Sequence, residues 1–430
     1  MDKDAFAALR KEIVSELDKA KSADDETVLT LIDEQLSAYA LKKYINIGDR
    51  VKLRKDLFNA IRRLDVLQDL IEDETITEIM VNGADKIFVE KNGRIYPTER
   101  CFESEERLSD ILQRVASAVN RTVNEAHPIV DARLSDGSRV NIVLPPVSLS
   151  GPVVTIRKFR RDIMDMDSLV KLGSVSAEAA EFLQTLVRAG YNLICSGGTG
   201  SGKTTLLNVL SNTVSGSERV VTIEDSAELI MNSENLIRLE ARNANVEGRN
   251  SITIRDLIKT ALRMRPDRLI VGEVRGSECI DMLQSLNTGH SGMSTVHANS
   301  PEDVVSRLET MVLLGENVPL MAIRAQIASA IDIIIGVSRM RDSSRKVTSI
   351  YEVDGIKDGE VVLNSLYEFI EEGNAEAAGS AGYGNKMSGA SVQTAGKVCR
   401  KPDELSVRGR LVKTGELKHR EKLRAAGLSI

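Results

Sequence analysis

Tyr191-Asn192-Leu193-Ile194-Cys195-Ser196-Gly197-Gly198-Thr199-Gly200-Ser201-Gly202-Lys203-Thr204-Thr205 is the stretch on which the fold turns. Its first six residues form a largely apolar strand, which runs into a turn satisfying GxxxxGK[ST] from Gly197 to Thr204. Residues 204–210 then resume with helical spacing. Strand, glycine turn and helix start are the three parts a phosphate cradle requires. Glycines let successive backbone N–H groups converge on phosphate oxygens, and the helix N-terminus adds the positive end of its dipole. Gly198, Thr199, Gly200, Ser201, Gly202, Lys203, Thr204 and Thr205 are therefore the candidate nucleotide contacts. The Lys203 ammonium would neutralise β- and γ-phosphate charge, and the Thr204 hydroxyl is placed to join a Mg²⁺ shell. ATP and Mg²⁺ are the implied ligands.

A cradle determines binding; the use of the nucleotide depends on polar residues brought up by neighbouring strands. From about 176 to 370 apolar runs alternate with helical patterns, and the runs end at Cys195, Ile223, Val271 and Val296. Such alternation predicts an α/β domain, a parallel sheet covered by helices on both faces. Strand C-termini then share one edge, so the acids Glu224, Asp225 and Glu228 after one strand and Glu273 at the end of another converge on the glycine turn. There they can hold Mg²⁺ through water and orient an attacking water; the plainer alternative is a set of isolated surface acids. A third element, 289–299, carries His290 and His297, two of the four histidines. Either a histidine senses the terminal phosphate or both are structural hydrogen-bonders. Ser300-Pro301-Glu302-Asp303 then reads as a helix start, with serine as cap and acids at the dipole's positive end.

Upstream, residues 63–160 read as a small α+β domain: strands at 76–81 and 86–90, a hairpin closed by Asn92-Gly93, a helix over 108–119, and further strands at 139–143 and 153–159. Residues 1–62 are a helical extension in which Phe6, Leu9, Ile13 and Leu17 recur at helical spacing, as do Leu53, Leu57, Ile61 and Leu64. It is either a satellite bundle or a docking extension. The charged, turn-rich segment 161–175 reads as an interdomain linker. Residues 371–430 read as a flexible Gly/Ala/Ser linker followed by a basic tail, expected to be solvated, although lipid head groups or a partner are alternatives for the basic part.

The 430 residues are 42% apolar and 28% charged, with a formal net charge of −6. That balance supports ordinary cores and gives no global attraction to nucleic acid or anionic lipid. Aromatics are 3% and tryptophan is absent, which argues against the stacking platforms of a single-strand translocase. Cys101, Cys195, Cys279 and Cys399 form no CxxC pair, which suits a reducing cytosol rather than a disulfide framework, and no Cys or His set has zinc-ligand spacing. Neither a signal peptide nor a bilayer-spanning run is recognised, so a soluble chain with peripheral membrane association is expected.

Taken together these residues resemble the secretion ATPase superfamily shared by type II secretion, type IV pilus and type IV secretion systems. Its four boxes occur in order: a Walker A loop at 197–204, an Asp box at 222–229, a Walker B at 269–276 and a His box at 289–299. Within it, Ile79-Met80-Val81-Asn82-Gly83, Asp136-Gly137-Ser138-Arg139-Val140-Asn141 and Thr155-Ile156-Arg157-Lys158-Phe159 are similar to the tight-adherence (Flp) pilus ATPases of the CpaF/TadA type. The resemblance implies a RecA-like P-loop domain preceded by a PAS-like α+β domain, and a cytoplasmic homohexamer that hydrolyses ATP against inner-membrane platform proteins. It further implies that Arg139 and Arg157 reach the phosphates, that Glu228 is the general base, and that Glu273 stands in the metal shell with Thr204. His297 is implied as a further site residue. The tetracysteine metal module of many type II secretion motors is missing from the sequence, which separates it from that branch. Conjugation-type secretion ATPases and pilus retraction motors share every box and remain the nearest alternatives, with a nucleic-acid translocase more remote.

Overall fold

Phe6, Leu9, Ile13 and Leu17 lie on one side of a helix, α1 (Lys3–Lys19), as their spacing requires. In the computed structural model, which describes residues 3–19, 24–91, 93–119, 121–134, 136–159, 164–242, 249–372 and 407–430, α1 packs with α2 (Asp25–Lys42) and α3 (Ile47–Arg62) around a core of their own built from Leu9, Ile13, Val28, Ile32, Leu36 and Leu57. Asp24 and Asn46 start α2 and α3 by accepting the Thr27 and Asp49 amides at 2.8 and 2.7 Å, which satisfies one otherwise orphaned helix donor in each case.

The same unit, Met1–Arg160, continues through α4 (Val66–Glu72), β1 (Ile76–Asn82), β2 (Ile87–Lys91), β3 (Arg94–Pro97), α5 (Glu105–Ala118), β4 (Ile129–Arg133), β5 (Arg139–Val143) and β6 (Val153–Arg157). The six strands form an antiparallel sheet in the order β3-β2-β1-β6-β5-β4. Strand periodicity sorts its faces: Ile79, Val81, Val140, Ile142, Val154 and Ile156 bury against Leu108, Ile111, Leu112 and Val115 of α5. Arg139 and Arg157 alternate out of that core and are direct register partners on β5 and β6. Asn92 of the expected hairpin turn lies outside the described residues; the flanking strands pair as Lys91 with Arg94.

The second unit, Arg161–Ile430, contains α6 (Met166–Lys171), α7 (Ala177–Arg188), β7 (Leu193–Ser196), α8 (Lys203–Ser211), β8 (Val220–Glu224), β9 (Leu236–Glu240), α9 (Ile254–Ala261), β10 (Arg268–Val274), α10 (Glu278–Asn287), β11 (Ser291–Val296), α11 (Pro301–Gly315), α12 (Leu320–Ala330), β12 (Ile333–Arg339), β13 (Arg345–Lys357), β14 (Glu360–Glu371), β15 (Gly409–Lys413) and α13 (Glu421–Ala425). Its nine-stranded sheet runs β15-β14-β13-β12-β7-β11-β10-β8-β9. From β12 to β9 every pairing is parallel. Both faces are covered: Leu193 and Cys195 join the core under α7 and α8, whereas Ile194 between them joins the one under α10, α11 and α12. This is the RecA-like α/β arrangement expected. The antiparallel extension β13-β14-β15 is an addition that the alternation of strands and helices did not announce.

Two expectations are corrected. The segment read as a linker at 161–175 is largely folded: Asp165 caps α6 by accepting the Ser168 amide at 2.8 Å, and Met166, Leu169 and Val175 are buried in the second unit. One apolar face only six residues long is too short for periodicity to stand out from its charged flanks. The basic stretch expected as a solvated tail is also structured from Val407 onward. β15 adds an edge strand to β14, Leu411, Leu417 and Leu423 enter the core, and Tyr191 donates its hydroxyl to the His419 carbonyl at 2.6 Å. The carboxylate of Glu352, 1% exposed, accepts the amides of Lys418 and His419 and the Asn364 side-chain amide. Residues 373–406, with most of the Gly/Ala/Ser stretch, lie outside the described residues. Among the described residues no helix is long and apolar enough to cross a membrane.

Candidate functional site

The glycine turn spans the gap between the end of β7 at Ser196 and the first residue of α8, Lys203. Gly200 and Gly202 take φ of +70° and +102°, a region in which a side chain would be strained. Gly197 is required for a different reason: a Cβ there would run into the Val337 carbonyl of β12. At Gly198, by contrast, a Cβ would meet nothing within 4 Å. The loop thus has a packed side and an open one, with Gly198, Thr199 and Gly200 exposed.

Behind it stands Lys203, a lysine only 7% exposed. Its Nζ donates to the Gly198 carbonyl at 3.0 Å and lies 3.4 Å from each ring nitrogen of His297. A buried ammonium at a helix N-terminus suits an anionic ligand. One further atom fits that reading: the Ser201 hydroxyl oxygen is buried without a hydrogen-bond partner among the described residues. Thr204, half-buried on the first turn of α8, offers a hydroxyl beside Lys203, while Thr205 is exposed. A phosphate with a hard divalent cation suits this donor set, with Thr204 and Glu273 the residues that would hold the cation.

The sheet order brings up the acids. β11 and β10 follow β7, and β8 follows β10, so the residues at the C-terminal ends of these parallel strands share an edge. Glu273 sits on β10, its Oε1 2.9 Å from His297 Nε2 and its Oε2 2.6 Å from Arg275. Arg275 is bound first by Glu273, and it also feels Asp225 and Glu228. Glu273 and, at 4.0 Å, Asp225 are therefore the acids that stand at this guanidinium. Glu224 has a different task. Buried at the end of β8, its Oε1 accepts the amides of Glu228 and Leu229 at 2.7 and 2.9 Å, which holds the loop that carries Glu228. Burial pushes its carboxyl above the ordinary range, against those two amides and Arg238.

His297 follows β11 at the edge that carries Lys203. Burial first, then the Lys203 charge, lower its pKa, and Glu273 opposes the shift. His290 precedes the same strand and so lies at its other end, where Nδ1 is 3.3 Å from the Ser285 carbonyl. The structure brings together Lys203, His297, Glu273 and the Glu228 loop; Arg139 and Arg157 belong to the other unit. Sequence reasoning missed two arginines. Arg275 stands two residues after Glu273, a same-face spacing in a strand that could have flagged it. Arg345 donates Nε to the Gly200 carbonyl at 3.0 Å, and no local signal marks it.

Residues 62–385 match the family model described as type II/IV secretion system protein. A putative conjugal transfer protein of Mycobacterium tuberculosis is 37% identical over 292 residues, which are 66% of this chain and 83% of that protein. The type IV secretion system protein PtlH of Bordetella pertussis is 33% identical over 322 residues, covering 68% of this chain and 95% of that one. Among solved structures, the VirB11 ATPase of Brucella suis in complex with sulphate is similar at 26% identity and a TM-score of 0.37, covering 66% of this chain and 95% of the other.

Proposed function

Because the chain belongs to the type II/IV secretion system protein family, we propose that it hydrolyses ATP with Mg²⁺ as a homohexameric motor at the cytoplasmic face of the inner membrane, driving pilus assembly or protein secretion of the tight-adherence (Flp) type. The observation that carries this reading is the buried Lys203 ammonium, held between a glycine-loop carbonyl and His297 at a helix N-terminus. Gly198, Thr199, Gly200, Ser201, Gly202, Lys203, Thr204 and Thr205 bind the nucleotide phosphates. Thr204 and Glu273 would hold Mg²⁺, which when bound neutralises charge between the β- and γ-phosphates. Glu228, on the loop tied down by Glu224, takes the proton of the attacking water. His297 reports the state of Lys203 and Glu273 to its own strand. Arg139 and Arg157, paired on one sheet face, supply positive charge to the phosphates from the N-terminal unit. Platform proteins of the membrane receive the motion that accompanies loss of the γ-phosphate.

Steady-state phosphate release by the purified full chain tests this reading. Wild type should turn over Mg-ATP, a chelator should stop it, and Lys203→Ala should abolish both turnover and nucleotide binding. Phosphate release by Lys203→Ala at the wild-type rate would remove the assignment. A second reading, a conjugation-type secretion ATPase, is favoured by the relative named as a putative conjugal transfer protein. A pilus retraction motor uses the same boxes. Co-purification separates them: platform membrane proteins of a pilus support the first reading, and conjugation-channel components support the second.

A further inference from the structure

The β12–β13 hairpin forms the outer wall of the glycine loop. Val337 of β12 puts its carbonyl where a Cβ on Gly197 would be. Arg339 and Arg345 are register partners at the mouth of the hairpin, and both reach the loop. Arg339 Nη1 lies 3.9 Å from the Cβ position of Gly200. The stem of Arg345 covers Gly202, with Cδ 3.3 Å from that glycine's Cβ position, while Nε donates to the Gly200 carbonyl at 3.0 Å. Both glycines that Arg345 touches are in left-handed conformations. The hairpin itself is braced. Asp342 accepts the Ser344 amide and hydroxyl across the turn and the Val407 amide from the C-terminal segment, and Arg341 pairs with Glu371 at the end of β14.

We propose that Arg345 is a positioning residue for nucleotide binding: it holds Gly200 and Gly202 in the conformation that turns the loop into a phosphate nest, with Arg339 adding a second positive charge beside it. The inference rests on reading 197–204 as a phosphate cradle. A left-handed glycine pair gains little from its own backbone and drifts readily among conformations, so an empty loop needs an outside partner to stay preformed. A permanently charged guanidinium delivered by a rigid hairpin is such a partner. A preformed loop binds its anion more tightly because less ordering is left for the ligand to impose.

The test compares binding of a fluorescent ATP analogue, steady-state kinetics and nucleotide-free melting in the full chain. Arg345→Ala should weaken binding and raise KM by about tenfold, the size expected for loss of a charge-assisted hydrogen bond, with kcat near wild type and the nucleotide-free melting temperature unchanged. Arg345→Met keeps an aliphatic stem over Gly202 and lacks the donor, so it should share the defect, and Arg345→Lys should recover part of the affinity. Arg410→Ala, the same loss of charge on the edge strand β15, should bind as wild type. Wild-type affinity in Arg345→Met would overturn the proposal, as would a defect that follows a lowered melting temperature and is not relieved by lysine. Failure of the phosphate cradle would look different: wild type and Lys203→Ala would bind the analogue alike.

Discussion

Lys203 Nζ stands equidistant, 3.4 Å, from the two ring nitrogens of His297, so the ammonium rests against the imidazole rather than bonding to one of its nitrogens. A second positive charge on that ring is disfavoured, and burial adds to the effect. His297 should therefore be neutral at pH 7 and titrate below the ordinary imidazole range when followed by imidazole NMR. Lys203→Met should raise the midpoint. The sign for stability follows. The unfolded chain takes up this proton more readily than the folded one, so the contribution of His297 is complete above the ordinary imidazole pKa and is lost as pH falls through the lower, folded value. A midpoint at or above the ordinary range would contradict the geometry.

Glu228 and Glu273 should fail differently. Glu228→Gln removes a proton acceptor and leaves the phosphate loop intact, so kcat should fall by about 100-fold or more while ATP affinity holds. Glu273→Gln also breaks the 2.6 Å pairing with Arg275, and its signature should be a raised Mg²⁺ requirement in a titration of rate against free cation. Normal turnover in Glu228→Gln would transfer the base assignment elsewhere.

Adjacent glycines of the loop should respond oppositely to the same methyl group. Gly197→Ala drives its Cβ into the Val337 carbonyl and should destabilise the ATPase unit by about 3 kcal/mol, the upper end of typical overpacking costs. Gly198→Ala has open space and should melt as wild type. Denaturant titrations of the two variants decide the matter, and equal midpoints would mean that β12 does not bear on the loop.

Glu352 anchors the C-terminal segment through three donors, the Lys418 and His419 amides and the Asn364 side chain. Glu352→Ala removes their charged acceptor, leaves Asn364 only the Glu416 carbonyl, and should destabilise the unit by roughly 2 kcal/mol. Proteolysis should then cut the segment from residue 407 onward. A protected C-terminal segment in the variant would show that β15 and α13 hold by apolar packing alone.

The parts that were legible in sequence are those with local causes. The strand, glycine turn and helix at 191–205 carry their own signals, and so do the strands at 139–143 and 153–159 that hold Arg139 and Arg157, although only the pairing register shows that the two arginines are opposite one another. Glu273 and His297 could be placed at a shared edge because parallel strands impose it. Arg345 could not, since its partner depends on a strand pairing between segments far apart in the chain. The C-terminal segment escaped for a related reason: Leu411, Leu417 and Leu423 stand six residues apart among mostly polar neighbours, and what seats the first of them is an edge supplied by β14.

Leu193 pairs with Met293 on one side and with Ile333 on the other. The strand beneath the glycine loop is thus flanked by partners synthesised long after it, and parallel pairing across such separations is intrinsically slow. A nascent chain that has emerged only through the lysine of the loop carries the motif without its floor. Nucleotide would discriminate between unfinished and finished molecules, since a ligand that recognises only the native sheet draws the folding equilibrium towards completion.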